Sequence, residues 1–429
     1  MLHDIYQICN IFVLYAQHTA GDSMKYEDFI DEHYKPKKTD LICKFRLKAK
    51  GFTFEKAAGG VSAESTIGTW TELTTEKEYM RKLAGIVFEL KNPYFSVAYP
   101  IELFEEGNMP NMLSGIAGNL FGLKEIDKVR LEDIIFPKKL AKSFKGPKYG
   151  INGVRKITRV KNRPLVGTIV KPKLGLNFKD HAKVAYDAWF GGCDVVKDDE
   201  NLSSQSFNRF EPRLKETLRL KRKAEKETGE FKAYMINVTA SGNEMIRRAR
   251  LVEDSGNEYM MVDILTVGWA ALQDLRDLNV NLVMHAHRAG HAALTKDKEH
   301  GISMPVLAKC SRLIGVDQLH VGTAVGKMSE GKSDVLENIK ACKEELYGIK
   351  KVMPVASGGL HPGHVEDLYK IFGKDFIAQA GGGIHGHPQG TVKGAMAMRQ
   401  AMDAVVQGYT LKEYAKKHKE LAIALEKWK

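Results

Sequence analysis

Four consecutive residues near the middle of the sequence have the types that bind a hard cation. Lys197, Asp198, Asp199 and Glu200 directly follow the apolar run Cys193–Val196. Two of the carboxylates, Asp199 and Glu200, offer the oxygen ligands that Mg2+ prefers and leave room in its shell for water and substrate oxygens. Most isolated sequences of this kind are solvated loops with structural ion pairs. The position at the end of an apolar run favours a metal site here.

Two lysines flank a proline after an earlier apolar run. Lys171 and Lys173 are two residues apart, so on a strand their side chains would point to the same side. Two adjacent amino groups at a strand end suit proton transfer. The alternative is a pair of solvated lysines around a proline turn. Again the position at the end of a strand favours the catalytic interpretation.

Histidines and glycines follow the later apolar runs. His287 and His320 are interpreted as proton carriers or substrate donors, although a satisfied core histidine is the commoner role. Arg288 is a fixed cation suited to phosphate. The glycines of 358–359 and 381–383 let backbone N–H groups approach an anion closely, although each group is also compatible with an ordinary turn. Two separate anion sites predict a bisphosphorylated substrate.

A glycine-bounded segment ends in a lysine at Lys327. The segment 322–327 reads GTAVGK, which suits a closing loop that carries a charge onto the substrate. It lacks the wider glycine spacing of a Walker A loop.

Eight apolar, β-branched runs alternate with amphipathic stretches from Pro164 onward, and polar or glycine residues follow most of them. Eight such units over about 250 residues predict a parallel (β/α)8 barrel with its chemistry at the carboxyl ends of the strands. The runs are Leu165–Val170, Cys193–Val196, Ala233–Val238, Tyr259–Leu265, Val280–Met284, Gln318–Val321, Val352–Ala356 and Phe376–Ala380.

The sequence before the barrel predicts a smaller α+β domain of ferredoxin-like type, so the fold class is α/β with two domains. Asp40–Phe45 and Ser96–Ile101 read as strands, Glu76–Glu89 as a helix and Lys142–Val160 as a connection. The predicted boundaries are an N-terminal extension at 1–23, expected to be disordered, the α+β domain at 24–145, and the catalytic barrel with a helical tail at 146–429.

Composition excludes several classes of function. The chain has 429 residues and a net charge of +12, but aromatic residues are not interleaved with the basic runs, which argues against nucleic acid as a partner. The five cysteines show no zinc spacing and predict a reducing, cytoplasmic setting. The longest apolar stretch, near Ile11–Ala16, is far shorter than the ~20 residues of a membrane span.

Taken in order, these motifs resemble those of ribulose-1,5-bisphosphate carboxylase/oxygenase (RuBisCO) large subunits, and the resemblance covers about Met24 to Gln407. Any one motif is weak, whereas the whole ordered set is very specific. The matching stretches are Gly167–Leu176, Gly191–Asn201, His285–Arg288, Gly322–Lys327, Pro354–Gly359, Gln379–Pro388, Glu64–Trp70 and Gly118–Gly122.

The resemblance implies a carboxylase that adds CO2, or O2, to the enediolate of ribulose 1,5-bisphosphate and forms two molecules of 3-phosphoglycerate. Lys197, carbamylated by an activator CO2, would bind Mg2+ with Asp199 and Glu200 and take the C3 proton. Lys171, supported by Lys173, would handle protons during enolisation and product release, and His287 would assist later proton transfers. Lys327 would stabilise the new carboxylate.

The resemblance also implies a substrate-binding set and a homodimer or an assembly of dimers. The phosphates and hydroxyls would be held by Arg288, His320, Ser357, Gly358, Gly359, Gln379, Gly381, Gly382 and Gly383. The partner subunit would contribute Glu64, Thr69, Trp70 and Asn119.

The short C-terminal tail resembles the archaeal form III branch, which implies a role in nucleotide salvage or a pentose-bisphosphate pathway. It puts the tail latch of plant-type enzymes in doubt, and no small subunit is implied. The alternative is a RuBisCO-like enolase or isomerase of sulfur salvage, which would lack several of the residues above. A scaffold or RNA-binding protein on an inactivated barrel would have a broken metal triad, whereas this triad is intact.

Overall fold

The computed structural model of the chain describes residues 23–71, 73–325 and 331–428. The predicted extension therefore lies almost wholly outside the described residues. The chain divides into two compact units: the residues up to Ser143 together with Leu294–Val306, and Phe144–Ala293 together with the residues from Leu307 onward. The segment 294–306 lies within the predicted barrel region of 146–429, and its residues Gly301 and Ile302 pair with the sheet of the N-terminal unit.

The N-terminal unit is a βαββαβ fold of ferredoxin-like type, as predicted. Its four long strands are antiparallel in the order β4-β1-β3-β2, and the short strand β10 pairs in parallel with the edge of β4. The strands are β1 Leu41–Ala49, β2 Ile86–Lys91, β3 Tyr94–Tyr99, β4 Ile126–Ile135 and β10 Gly301–Ile302, and the helices are α1 Phe54–Glu64, α2 Met109–Ile116 and α3 Lys138–Lys142.

Strand β1 forms because its residues alternate. Leu41, Cys43, Phe45 and Leu47 are buried against the core while the intervening residues are more exposed, the pattern of a half-buried strand. The helix predicted at 76–89 is wrong. That stretch begins with a 3-10 helix, 78–83, that has no buried residue, and then enters β2. Without a core-facing stripe, propensity alone does not hold an α-helix.

The second unit contains a closed parallel barrel in the strand order β11-β12-β13-β5-β6-β7-β8-β9. Each strand overlaps one of the eight predicted runs, so the predicted fold class is confirmed. The strands are β5 Leu165–Ile169, β6 Val195–Lys197, β7 Ala233–Asn237, β8 Tyr259–Asp263, β9 Val283–His287, β11 Gln318–His320, β12 Met353–Ser357 and β13 Ile377–Gln379.

Helices follow the strands of this unit, and two of them (α9 and α10) have residues in both units. Among the described residues, no helix is long and apolar enough to cross a membrane. The helices are α4 Gly150–Thr158, α5 Phe178–Phe190, α6 Phe210–Thr228, α7 Gly242–Asp254, α8 Ile264–Asp277, α9 Ala292–Thr295, α10 Met304–Ile314, α11 Lys332–Lys343, α12 Val365–Phe372, α13 Gly382–His385, α14 Thr391–Val406, α15 Leu411–Ala415 and α16 Lys419–Lys427.

The barrel interior is filled by side chains. Fully buried residues from the strands, including Leu165, Val195, Met261 and Ile377, form one cluster with Val154 of α4. The stretch predicted as a connection, 142–160, thus contains a helix that packs against the barrel core. A filled interior leaves the carboxyl ends of the strands as the place for chemistry.

Candidate active site

Lys197 is the last residue of β6, and its side chain is only 1% exposed. Its Nζ donates to the carbonyl oxygen of Asp198 at 2.8 Å, lies 3.2 Å from Glu200 Oε2 and contacts Met261 Sδ at 3.5 Å. A buried amino group with these few partners is costly. The amino group of Lys197 lies at the carboxyl end of β6, which is where barrel enzymes carry their reactive groups.

The two predicted carboxylate ligands lie beside lysines. Asp199 Oδ2 accepts from Lys171 Nζ at 2.7 Å, and Glu200 Oε2 accepts from Lys197. Burial would raise the pKa of Glu200, but the charges of Lys197 and His287 outweigh it and lower that pKa to about 2. Both carboxylates are therefore gathered with cationic groups at one strand end. Lys173 is exposed, and its Nζ lies 3.4 Å from Asn201 Oδ1.

Asp198 has a different task from its neighbours. Its carboxylate is fully buried and accepts from Tyr234 Oη at 2.6 Å, Arg213 Nε at 3.1 Å and the backbone N–H of Asn237 at 3.1 Å. His181 Nε2 is 3.1 Å from the same group. Burial opposes ionisation, but the charge of Arg213 outweighs it and holds the pKa of Asp198 well below its usual range.

Two residues of this network also bind the loop that follows β6. Arg213 donates to the carbonyl oxygens of Ser203 and Asn208, and Asn237 Nδ2 donates to that of Glu200 at 3.1 Å. The network thus fixes the segment that carries the predicted metal ligands. The sequence analysis missed it, because Arg213 and Asn237 are distant in sequence and have no motif around them.

A chain of hydrogen bonds joins the barrel strands β9, β11 and β12. His285 Nδ1 is 2.9 Å from Gln318 Oε1, His285 Nε2 is 2.9 Å from His320 Nε2, and His320 Nδ1 is 2.6 Å from Ser357 Oγ. Because Gln318 Oε1 can only accept, His320 donates to His285 and Ser357 donates to His320. The lone pairs of Ser357 Oγ remain to accept from a substrate hydroxyl.

Both histidines of this chain are held neutral. Burial, reinforced by the Lys197 charge, lowers the pKa of His285 to about 3. Burial, with His287 next, lowers the pKa of His320 well below its usual value. The sequence singled out His320 and Ser357 but missed His285. This residue is fully buried, and its ring bonds Gln318 and His320.

His287 lies between two carboxylates. Its Nδ1 is 3.2 Å from Asp263 Oδ1, and its Nε2 is 3.6 Å from Glu200 Oε2. The ring is 16% exposed, so it is open to the barrel mouth while Asp263 is buried behind it. Nδ1 also accepts from the backbone N–H of Ala289 at 3.2 Å, which fixes the orientation of the imidazole and leaves Nε2 facing Glu200 for proton transfer. The sequence predicted His287 but not its partner.

The two glycine loops after β12 and β13 touch each other. A Cβ on Gly383 would lie 2.1 Å from the Leu360 carbonyl oxygen, and one on Gly381 would lie 3.3 Å from Lys171 Cε. Side chains at these positions would collide with a neighbouring loop or crowd Lys171. Gly358 and Gly359 have φ values of 122° and 71°, a region that favours glycine.

The remaining predicted residues of the barrel unit are placed as follows. Arg288 is buried just after β9, and Gln379 is buried in the barrel interior at the end of β13, with its Nε2 3.9 Å from Met235 Sδ. Lys327 lies outside the described residues.

Four predicted residues belong to the N-terminal unit. Glu64 is the last residue of α1, and its Oε1 lies 3.5 Å from Asn119 Nδ2. Thr69 and Trp70 follow in the next loop, and Trp70 is 80% exposed. The structure thus brings Glu64 and Asn119 together within this unit and leaves a large aromatic side chain in solvent.

Comparison with known families decides the classification. The family model for the ribulose bisphosphate carboxylase large chain, catalytic domain, matches residues 150–428, and the N-terminal domain model matches residues 28–140. The chain belongs to the RuBisCO large-chain family. The filled barrel, the Lys197 strand end and the paired glycine loops described above are thus features of a RuBisCO large chain.

Archaeal members of the family are similar over nearly the whole chain. A ribulose bisphosphate carboxylase of Methanosarcina mazei is 51% identical, covering 94% of this chain and 99% of the relative. That of Methanocaldococcus jannaschii is 48% identical, covering 94% and 100%.

Solved structures of archaeal RuBisCO agree. The octameric Pyrococcus horikoshii enzyme, in complex with sulfate, has a TM-score of 0.93 at 43% identity and covers 95% of this chain and 98% of its own. The dimeric enzyme of Hyperthermus butylicus has a TM-score of 0.88 at 46% identity and covers 94% and 99%.

Proposed function

We propose that the protein carboxylates ribulose 1,5-bisphosphate, with O2 as a competing substrate, and forms two molecules of 3-phosphoglycerate. The observation that carries the proposal is the intact group at the end of β6: a buried Lys197 with Asp199 and Glu200, bordered by Lys171 and His287. A RuBisCO-like enolase or isomerase is the second candidate, but no observation favours it.

The donors at this strand end fit Mg2+. Asp199 and Glu200 supply hard oxygen atoms, and each accepts from a lysine ammonium group, so both carboxylates already face positive charge. If the amine of Lys197 adds to CO2 and releases a proton, the resulting carbamate adds a third oxygen donor. Mg2+ would supply Lewis-acid polarisation of substrate oxygens. The Asp198 network would keep the loop carrying these donors in place.

Protons would be moved by groups already oriented in the structure. Lys171, which donates to Asp199, would handle protons in enolisation and product release. His287 would act in later transfers, since the Ala289 backbone N–H fixes its ring and Nε2 lies toward Glu200. The carbamylated Lys197 would take the C3 proton of the substrate. Each of these residues lies at the carboxyl end of a barrel strand, which suits precise positioning.

The substrate phosphates and hydroxyls would be held around the barrel mouth. Backbone N–H groups of the glycine loops after β12 and β13 would bind one phosphate, and Arg288 would help to bind the other. Lys327 would stabilise the carboxylate formed when CO2 adds. Ser357 would accept from a substrate hydroxyl, because its own proton is donated to His320.

The active unit would be a homodimer in which Glu64, Thr69, Trp70 and Asn119 complete the partner's site. Two observations support this proposal. Trp70 is 80% exposed in the single chain, which is costly for so large an apolar surface. The archaeal structures named above are a dimer and an octamer.

The test is fixation of radiolabelled CO2 with ribulose 1,5-bisphosphate after preincubation with Mg2+ and CO2. The parent chain should form labelled 3-phosphoglycerate, and Lys197→Met should form none. Lys232→Met is the matched control, since Lys232 is equally buried but lies before β7 and pairs with Glu230 at 2.8 Å. Substrate enolisation without fixation in the parent would favour the enolase or isomerase instead. Near-normal fixation by Lys197→Met would reject the assignment of that residue.

A further inference from the structure

The C-terminal helix α16 is bound firmly to α14. The Glu420 carboxylate accepts from Lys393 Nζ and from Gln400 Nε2, each at 2.9 Å. The carbonyl oxygen of Glu420 lies 3.1 Å from His387 Nε2, and Leu421 is fully buried. The position of the residue that follows the helix, Trp428, is therefore set by a fixed support.

The Trp428 ring reaches the segment after the β12 glycine loop. It stacks on His361, with ring centroids 5.6 Å apart and an interplanar angle of 16°. His361 in turn packs on His364, with centroids 3.7 Å apart. Burial lowers the pKa of His361 to about 4, so the stack is between neutral rings near pH 7. His361 is only two residues beyond Gly359.

The same ring also borders the segment after the β13 glycine loop. A Cβ on Gly386 would lie 3.7 Å from Trp428 Cζ2, and one on Gly383 would lie 2.6 Å from His361 Cα. The two loops therefore touch each other directly and share one aromatic neighbour. Loss of the Trp428 ring would remove a contact from the segment after each loop.

We propose that Trp428 is a positioning residue for substrate binding: its ring braces the two glycine loops so that their backbone N–H groups face one phosphate together. This inference rests on the proposed function, in which Gly359, Gly381 and Gly382 bind a phosphate. Trp428 does not touch the reacting atoms. Its effect is to keep two loops from different strands in register, since small displacements of binding groups weaken productive contacts strongly.

The first test separates binding from turnover. Trp428→Ala should raise the KM for ribulose 1,5-bisphosphate and the inhibition constant of inorganic phosphate by roughly three- to tenfold, the range for one stacked aromatic contact. The value of kcat should change less, because binding contacts common to ground and transition states are lost. Trp428→Phe should restore much of the affinity. Tyr409→Ala is the matched control, since Tyr409 packs against Tyr414 in the same C-terminal region, with ring centroids 5.8 Å apart.

The second test needs no catalysis. Hydrogen exchange of the full-length protein without substrate should be faster in peptides 357–364 and 381–387 of Trp428→Ala than in the parent, with the other barrel strands unchanged. If Trp428→Ala does not fold, His361→Gln removes the same stack and takes its place. Unchanged KM and unchanged exchange, or uniform loosening of the whole unit, would overturn the brace. If the parent fails to fix CO2 but the exchange difference is present, the proposed function has failed and the structural brace stands.

Discussion

The hydroxyl of Tyr234 offers a clean perturbation of the network behind the metal loop. It donates to Asp198 Oδ1 at 2.6 Å inside the protein, where both residues are fully buried. Tyr234→Phe deletes this donor and keeps the ring, so packing changes little. Asp198 retains the bonds from Arg213 and from the Asn237 amide, and its charge therefore stays paired.

The expected loss follows from the charge of the acceptor. A hydrogen bond to a charged group contributes ~1.5–3 kcal/mol to stability. Because Asp198 keeps its other donors, we expect the Tyr234 hydrogen bond to contribute an amount in the lower half of that range, about 2 kcal/mol. For a large domain that loss corresponds to a fall in Tm of roughly 4–8 °C. The loop carrying Asp199 and Glu200 should also bind Mg2+ more weakly, because Asp198 joins it to the barrel.

Thermal unfolding of the full chain and titration with Mg2+ measure the two effects. Tyr259→Phe is the control: Tyr259 is equally buried on β8, but its hydroxyl donates to no carboxylate among the described residues. A Tm for Tyr234→Phe within about 1 °C of that of the control, a difference below ~0.5 kcal/mol, would refute the reasoning. A lower Tm with unchanged Mg2+ binding would show that the network stabilises the fold but does not affect Mg2+ binding by the loop.

Three further outcomes are expected. Mixing inactive Lys197→Ala chains with inactive Asn119→Ala chains should restore some activity after subunit exchange, and no recovery would count against a shared site. Lys327→Ala should lose ~10²–10³ in carboxylation yet still release tritium from C3 of the substrate; loss of both would place Lys327 earlier in the reaction. Asp194→Asn should lower Tm at neutral pH. Burial raises the pKa of Asp194, but Arg163, bonded at 2.6 and 2.7 Å, outweighs it and keeps the pKa low. Its stabilising effect is therefore present above the unfolded pKa of ~3.9 and is lost as pH falls through the folded pKa, so the two melting curves should converge in acid; a gap independent of pH would contradict this.

The barrel was predictable because each strand overlaps a short apolar run, and polar or glycine residues follow most of these runs. That pattern located Lys197, His287 and the glycine loops at the mouth. Residues that act through a neighbour carry no such signal. Arg213 reads as one more charge on a basic helix, and His285 as a core histidine, until the folded chain places them beside Asp198 and His320.

The wrong helix prediction has the same origin. The last four residues of the stretch 76–89 belong to β2, which pairs with β3, and pairing outweighs local pattern. The segment 294–306 lies between two barrel strands in sequence, and no local feature indicates that Gly301 and Ile302 pair with Arg130 and Leu131. Long-range pairing of this kind is decided by the tertiary fold.

That pairing has a consequence for synthesis. Strand β4 is made early, but the short strand that covers its edge leaves the ribosome about 170 residues later. At ~5–20 residues per second the interval is roughly 10–30 s. During this time the nascent ferredoxin-like unit presents an uncapped strand edge, the kind of surface on which chains associate wrongly. The charged residues of β4, Asp127, Lys128, Arg130, Glu132 and Asp133, lie along that edge strand, where charge discourages pairing with another chain while the rest of the protein is still being made.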